Sequence, residues 1–193
     1  MESRDEPERP DAGRERWLTA SSLPEACELM ARWFEARLRY RPVEGNALPT
    51  GGPTGGRLAA ICRGGFLVRA YQDGIPLRDG FGQRQYVTGF CGVQQKDRLL
   101  AMSSATELVV VAHHPSSSNY ASIPVVAGAA EPFPWLGRPE SVGGEEDLRP
   151  WISEAGEAVA QAVHEAWFVE AFDPAWGRSN VLLPTMSDWL DGP

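Results

Sequence analysis

Three groups of residues in this chain carry chemistry by type. His113 and His114 close an apolar run and are followed by Pro115 and three serines, Ser116, Ser117 and Ser118. A histidine beside a hydroxyl is the raw material of nucleophilic catalysis, and paired histidines are that of a metal site. Neighbours on a strand point to opposite faces, so His113 and His114 do not share a metal without a bend. The remaining histidine, His164, falls in a distant helical stretch. No G-x-S-x-G elbow surrounds the serines, and residues 115–119 read as a loop. The second group is the run GGPTGGRL, residues 51–58. It has the outline of a phosphate-binding loop, but Arg57 stands where the lysine belongs and Leu58 where a magnesium-binding hydroxyl belongs. What survives is a helix start over residues 56–62, whose free N–H groups suit an anion or a polar ligand. The third group is Cys27, Cys62 and Cys91, an odd number at wide spacing in apolar surroundings. They read as buried, reduced thiols of a cytoplasmic protein.

Composition narrows the classes of function. The 193 residues suit one domain, and a 42% hydrophobic content with seven tryptophans is enough for a real core. A formal charge of −8 opposes broad contact with nucleic-acid phosphates or anionic lipid. No apolar run approaches the roughly 20 residues needed to span a bilayer. Residues 1–16 mix Glu, Asp, Arg and Pro, which predicts a charged, disordered tail rather than a signal peptide. A single domain is expected over residues 17–193.

The elements that position these groups follow from periodicity. Residues 22–40 predict a helix, with Ser22 and Glu25 as a capping box, Pro24 in the first turn, and Ala26, Leu29, Met30, Trp33, Phe34 and Leu38 on one face. Strands are expected at residues 66–72, 85–91 and 108–113, with a helix over 94–105. On the second strand Gln85, Val87 and Gly89 share one face, and Tyr86, Thr88 and Phe90 the other. The apolar run 108–112 predicts a central strand, and residues 73–82 a long loop over a site. Further on come a strand at 123–129, a Pro/Gly-rich connection at 131–144, a helix at 145–165, a strand at 167–172, a turn at 173–177 and a short strand at 181–183. Irregular alternation of strands and helices implies an α+β domain with a mixed β-sheet flanked by helices.

The run GFLVRAYQDG…GQRQYVTGF, with Gln72, Gln83, Arg84, Tyr86 and Phe90 at the matching positions, resembles the C-terminal regulatory domain of methylenetetrahydrofolate reductases. That domain has a strand ending in SQP, a Gly-rich loop, and a second strand of the type QKAYLEFF. A later block, Ala175-Trp176-Gly177 and then Leu183-Pro184-Thr185, follows its TWG…QPT pattern. The chain is also similar to an uncharacterised actinobacterial family of small proteins with SQPG…QRA and WGR patterns. The resemblance, over residues 48–188, implies a non-catalytic module that binds S-adenosylmethionine and regulates a partner. It places Thr50, Val68, Tyr71, Gln72, Gln83, Gln85, Trp176 and Thr185 around the ligand. Several of the family's polar contacts are replaced, by Val68, Tyr71 and Ala175, and the acid near Thr50 is missing. The implied S-adenosylmethionine site is therefore altered or lost, since each unmade buried hydrogen bond costs about 1–3 kcal/mol. Two other readings stay open. One is a protein-interaction or inhibitory factor of a mobile-element or phage system, with no small ligand. The other is an enzyme using His113 or His114.

Overall fold

The computed structural model describes residues 10–42, 48–114, 123–128, 135–136 and 145–192. The elements run α1 (Pro10–Thr19), α2 (Leu23–Phe34), α3 (Gly52–Arg63), β1 (Phe66–Gln72), β2 (Ile75–Arg78), β3 (Phe81–Cys91), α4 (Val93–Ala105), β4 (Val109–His113), β5 (Ile123–Pro124), β6 (Val126–Ala127), β7 (Trp135–Leu136), α5 (Glu145–Glu165), β8 (Trp167–Trp176) and α6 (Leu182–Asp191).

Helices pack around one sheet, so the α+β single domain holds. The main sheet has the order β1-β3-β8-β4, with β2 and β6 flanking the start of β3. Every described pairing is antiparallel, where a mixed sheet was expected. The reason is β8. It slots between β3 and β4 and runs antiparallel to both, so those two strands never pair directly. Among the described strands β4 is thus at the edge, not the central one its apolar run implied. β3 and β8 occupy the centre.

Alternation along the strands divides the core. Phe66, Val68, Val87, Cys91, Val169 and Ala171 are buried. On this face α3, α4 and α6 pack against the sheet and one another. On the other face Phe90 meets Trp151 of α5 edge-on, and Trp151 meets Trp17 of α1 at 6.3 Å between ring centres. Near the β6 end, Tyr86, Val125 and Phe172 form a smaller cluster. No described helix is long and apolar enough to cross a membrane.

Several boundaries differ from expectation for local reasons. Residues 10–16 are helical, not tail, because Trp17 is fully buried and Arg14 reaches Glu154 of α5 at 3.2 Å. α2 stops at Phe34, short of Tyr40, since Ala36 takes a left-handed φ of 60° and the Phe34 carbonyl accepts from Gly51 N. α3 starts at Gly52, four residues early, with Pro53 in its first turn. Residues 73–82 are a hairpin, not a covering loop. Asp79 and Gly80, both at positive φ, make the tight turn that an Asp-Gly pair favours. Residues 173–176 extend β8, and residues 182–183 open α6 instead of forming a strand. Within α5, Gly156 breaks the helix at φ 81° where the Leu18 backbone passes close by.

Candidate functional site

The polar groups that converge most tightly lie where β1, β3 and β8 end together. The paired registers of β3 with β1 and β8 bring residues 72–74 beside residues 176–179. Contact is intimate, since a Cβ on Gly74 would sit 2.9 Å from the Gly177 carbonyl carbon. Gly177, at φ 72°, hands its N–H to the Gln83 carbonyl at 3.1 Å. β8 carries extra residues opposite Gln85, because its register with β3 jumps between Trp176 and Phe172. Asp173 in that bulge is fully buried and takes Arg178 in a fork, at 2.5 and 2.8 Å. Ala175 N adds a third bond at 2.9 Å. The 173–178 turn is therefore held by charge-assisted bonds from a partly exposed guanidinium to a buried carboxylate.

Gln85 sits at the centre of this junction with no exposed surface. Its Nε2 lies 3.1 Å from the Tyr71 hydroxyl, 3.2 Å from Asp73 Oδ1 and 2.9 Å from the Ser179 carbonyl. Its Oε1 is buried with no partner. Asp73 Oδ1 also accepts from Gly74 N at 3.0 Å. Gln83 Nε2 donates to the Asp73 carbonyl at 2.6 Å. Burial, and then the Asp73 charge and hydrogen bond, push the Tyr71 phenol up to about 12, so it is a neutral hydroxyl at pH 7.

A cleft of about 260 Å³ opens on this wall, lined by Pro49, Thr54, Tyr71, Gln72 and Asp73. The opposite wall is the start of α3, where Gly51 caps without a side chain. Arg57, one turn along α3, acts on Tyr71 by its charge. The arrangement can bind a small polar molecule.

Residues singled out from the sequence distribute unevenly. Tyr71 and Gln72 line the cleft, and Gln83 and Gln85 stand behind its wall. Thr50 is exposed at the rim, next to Pro49. Trp176 is on the neighbouring turn, where its ring carries the Arg84 guanidinium at 4.5 Å. Val68 is not a site residue; it is fully buried in the apolar core. Thr185 is in the first turn of α6, outside the cleft lining. Asp73, Thr54 and Ser179 were not singled out. Asp73 was visible only as the residue after Gln72, and Ser179 contributes a backbone carbonyl, which leaves no mark in sequence.

The histidines are elsewhere. His113 Nε2 lies 3.3 Å from Glu170 Oε2, both side chains about 5% exposed, and its ring stacks on Phe168. His114 meets Trp167 edge-on, on the opposite face. Thr88 pairs with Glu170 across β3 and β8, and Glu170 lies between Thr88 and the β4 strand that carries His113. That order is wrong for a hydroxyl activated by histidine, which must be adjacent to it. Ser116, Ser117 and Ser118 lie outside the described residues. A larger groove of about 420 Å³, lined by Ile152, Glu157, Ala160, Gln161 and His164, runs along α5 alone. Among the described residues its lining comes from one helix.

The model of one protein family matches residues 12–192, which spans every element described above. The chain belongs to that family, Domain of unknown function (DUF6919). No curated protein matches the chain. In this DUF6919 chain the Gln85 junction, which ties β3 to the end of β1 and to the turn after β8, lies within the matched span.

Proposed function

We propose that this DUF6919 chain is a non-catalytic ligand-sensing or regulatory module, of the reductase regulatory-domain type, with an altered or lost S-adenosylmethionine site. The observation that carries this is the cleft wall Tyr71–Gln72–Asp73, fixed from behind by the buried amide of Gln85. A polar wall that is built and held before anything arrives lowers the ordering cost of binding. The resemblance supports the same place, since Gln72 of the first block lines the cleft and Gly74, two residues on, packs against Gly177 of the second. At about 260 Å³ the cleft is just under the roughly 300–1,000 Å³ typical of drug-sized ligands. That size favours part of an adenosyl compound, or a smaller molecule, over whole S-adenosylmethionine. Three buried free thiols support a reducing, cytoplasmic setting.

Thermal unfolding in the presence of S-adenosylmethionine, S-adenosylhomocysteine and adenosine tests the reading. A ligand at 100 times its Kd contributes about 2.7 kcal/mol, or some 5–10 °C for a chain of this size. No shift with any of them at saturating concentration contradicts it.

A second reading, a protein-interaction or inhibitory factor of a mobile-element or phage system, draws on the β2–β3 hairpin. There Ile75, Leu77 and Phe81 are 40–49% exposed within seven residues of one another. Clustered exposed apolar side chains suit a partner surface. Affinity purification in which Ile75→Ser/Leu77→Ser/Phe81→Ser loses a partner held by the parent chain would support it.

A further inference from the structure

We infer that the cleft takes a ligand offering a hydrogen-bond donor nitrogen, an amine, ammonium or amidine, to Asp73 and Tyr71. This rests on the reading of the cleft as a ligand site, and adds the polarity of what fills it.

The argument is a count of protons. Gln85 has two N–H bonds, and three acceptors surround its nitrogen. Turned over, its carbonyl oxygen would face the Ser179 carbonyl and the Asp73 carboxylate, both acceptors, so the amide has one workable orientation. Its donors are then spent on the inner side of the wall. The neighbours repeat the pattern. Gly74 N and Gln83 Nε2 both donate to Asp73 from behind, and Ser179 Oγ donates to the Gly74 carbonyl at 3.4 Å. Tyr71 Oη receives from Gln85 Nε2 at 3.1 Å.

Thr54 and Gln72 line the cleft with groups that both donate and accept, so what gives it a polarity is the exposed Asp73 carboxylate, with the Tyr71 oxygen beside it. Asp73 makes no ion pair among the described residues, although Arg57 is near enough to act on Tyr71. An exposed carboxylate backed entirely by donors, and not neutralised by a protein cation, is complementary to a donor nitrogen. A second carboxylate would bring a like charge against Asp73, which is penalised. Pro49, on the opposite side, offers an apolar surface for the body of the molecule.

The test is titration calorimetry of the full chain with matched probes. One pair is adenosine and purine riboside, which lacks only the exocyclic amino group. The other is putrescine and succinate. At least tenfold tighter binding of adenosine over purine riboside, or of putrescine over succinate, is expected. Asp73→Asn should weaken the donor probe at least tenfold with an unchanged melting temperature; if that variant does not fold, Tyr71→Phe carries the same expectation. Equal or tighter binding of purine riboside and succinate overturns the donor inference while leaving the cleft a ligand site. Unchanged affinity in Asp73→Asn also overturns it. Absence of binding by all four probes and by S-adenosylmethionine overturns both the inference and the reading beneath it.

Discussion

The Gln85 amide donates to the Tyr71 hydroxyl over 3.1 Å, between strands β3 and β1, with Gln85 wholly buried and Tyr71 nearly so. That single bond ties the polar wall of the cleft to the centre of the sheet. Gln85→Leu keeps the volume and deletes the donors. It leaves the Ser179 carbonyl and the Asp73 carboxylate short of one partner each, while also removing the orphaned Oε1. A loss of about 1–3 kcal/mol is expected, read as a lower urea midpoint with unchanged slope. A neutral or stabilised variant would show that the bond does not hold the wall.

Gly177 and Gly74 meet backbone to backbone, and a Cβ on Gly177 would overlap Pro76. Gly177 also sits at φ 72°, where side chains are disfavoured. Gly177→Ala should therefore destabilise by more than the roughly 1 kcal/mol expected of Gly51→Ala, which has a similar φ of 70° but open space around it. Comparing the two melting temperatures separates overlap from backbone strain. Equal losses would mean the Gly177–Pro76 contact is loose.

Much of this architecture was readable in the amino-acid order, and the site was half readable. Strand β1 and the alternation of β3 follow from local periodicity, which the final packing respects. The failures are all long-range or misread punctuation. β4 looks central because Val109, Val110 and Val111 are apolar, yet β8 arrives from 54 or more residues downstream and takes the centre. Pro184 reads as a strand terminator, but it lies in the first turn of α6, where a missing N–H costs nothing. Gln85 and Asp73 are twelve residues apart, and Gln85 and Ser179 ninety-four. No spacing rule connects them; only the bulge in β8 does. Val68, placed at the site by resemblance, is held in the core by its neighbours on α3 and β1.

Burial raises the phenols of Tyr40, Tyr71 and Tyr86 to about 12 from an ordinary value of 10. A folded-state value above the unfolded one means the neutral form is favoured by folding. The stability involved is complete below about pH 10 and is lost as pH rises towards 12. Alkaline unfolding should therefore begin above pH 10. Three of the four tyrosines should titrate late and together with the loss of structure. Phenolate formation by more than one tyrosine at pH 10, with the fold intact, would contradict the raised values.

Cys27, Cys62 and Cys91 are buried and free, and burial pushes all three thiols up, Cys62 and Cys91 to about 12. The thiolate is the reactive form, so a thiol reagent at pH 8 should label none of them in the native protein and all three in urea. Rapid native labelling of any one would show an opening that the static packing does not contain.

The cleft itself is tested most directly by backbone amide NMR of the labelled chain during titration with adenosine. The account predicts shifts concentrated at Thr54, Tyr71, Gln72, Asp73 and Gly74, with a smaller response at Gln85 behind the wall. Shifts centred on the hairpin residues Ile75, Leu77 and Phe81, on the α5 groove, or nowhere at all would contradict it.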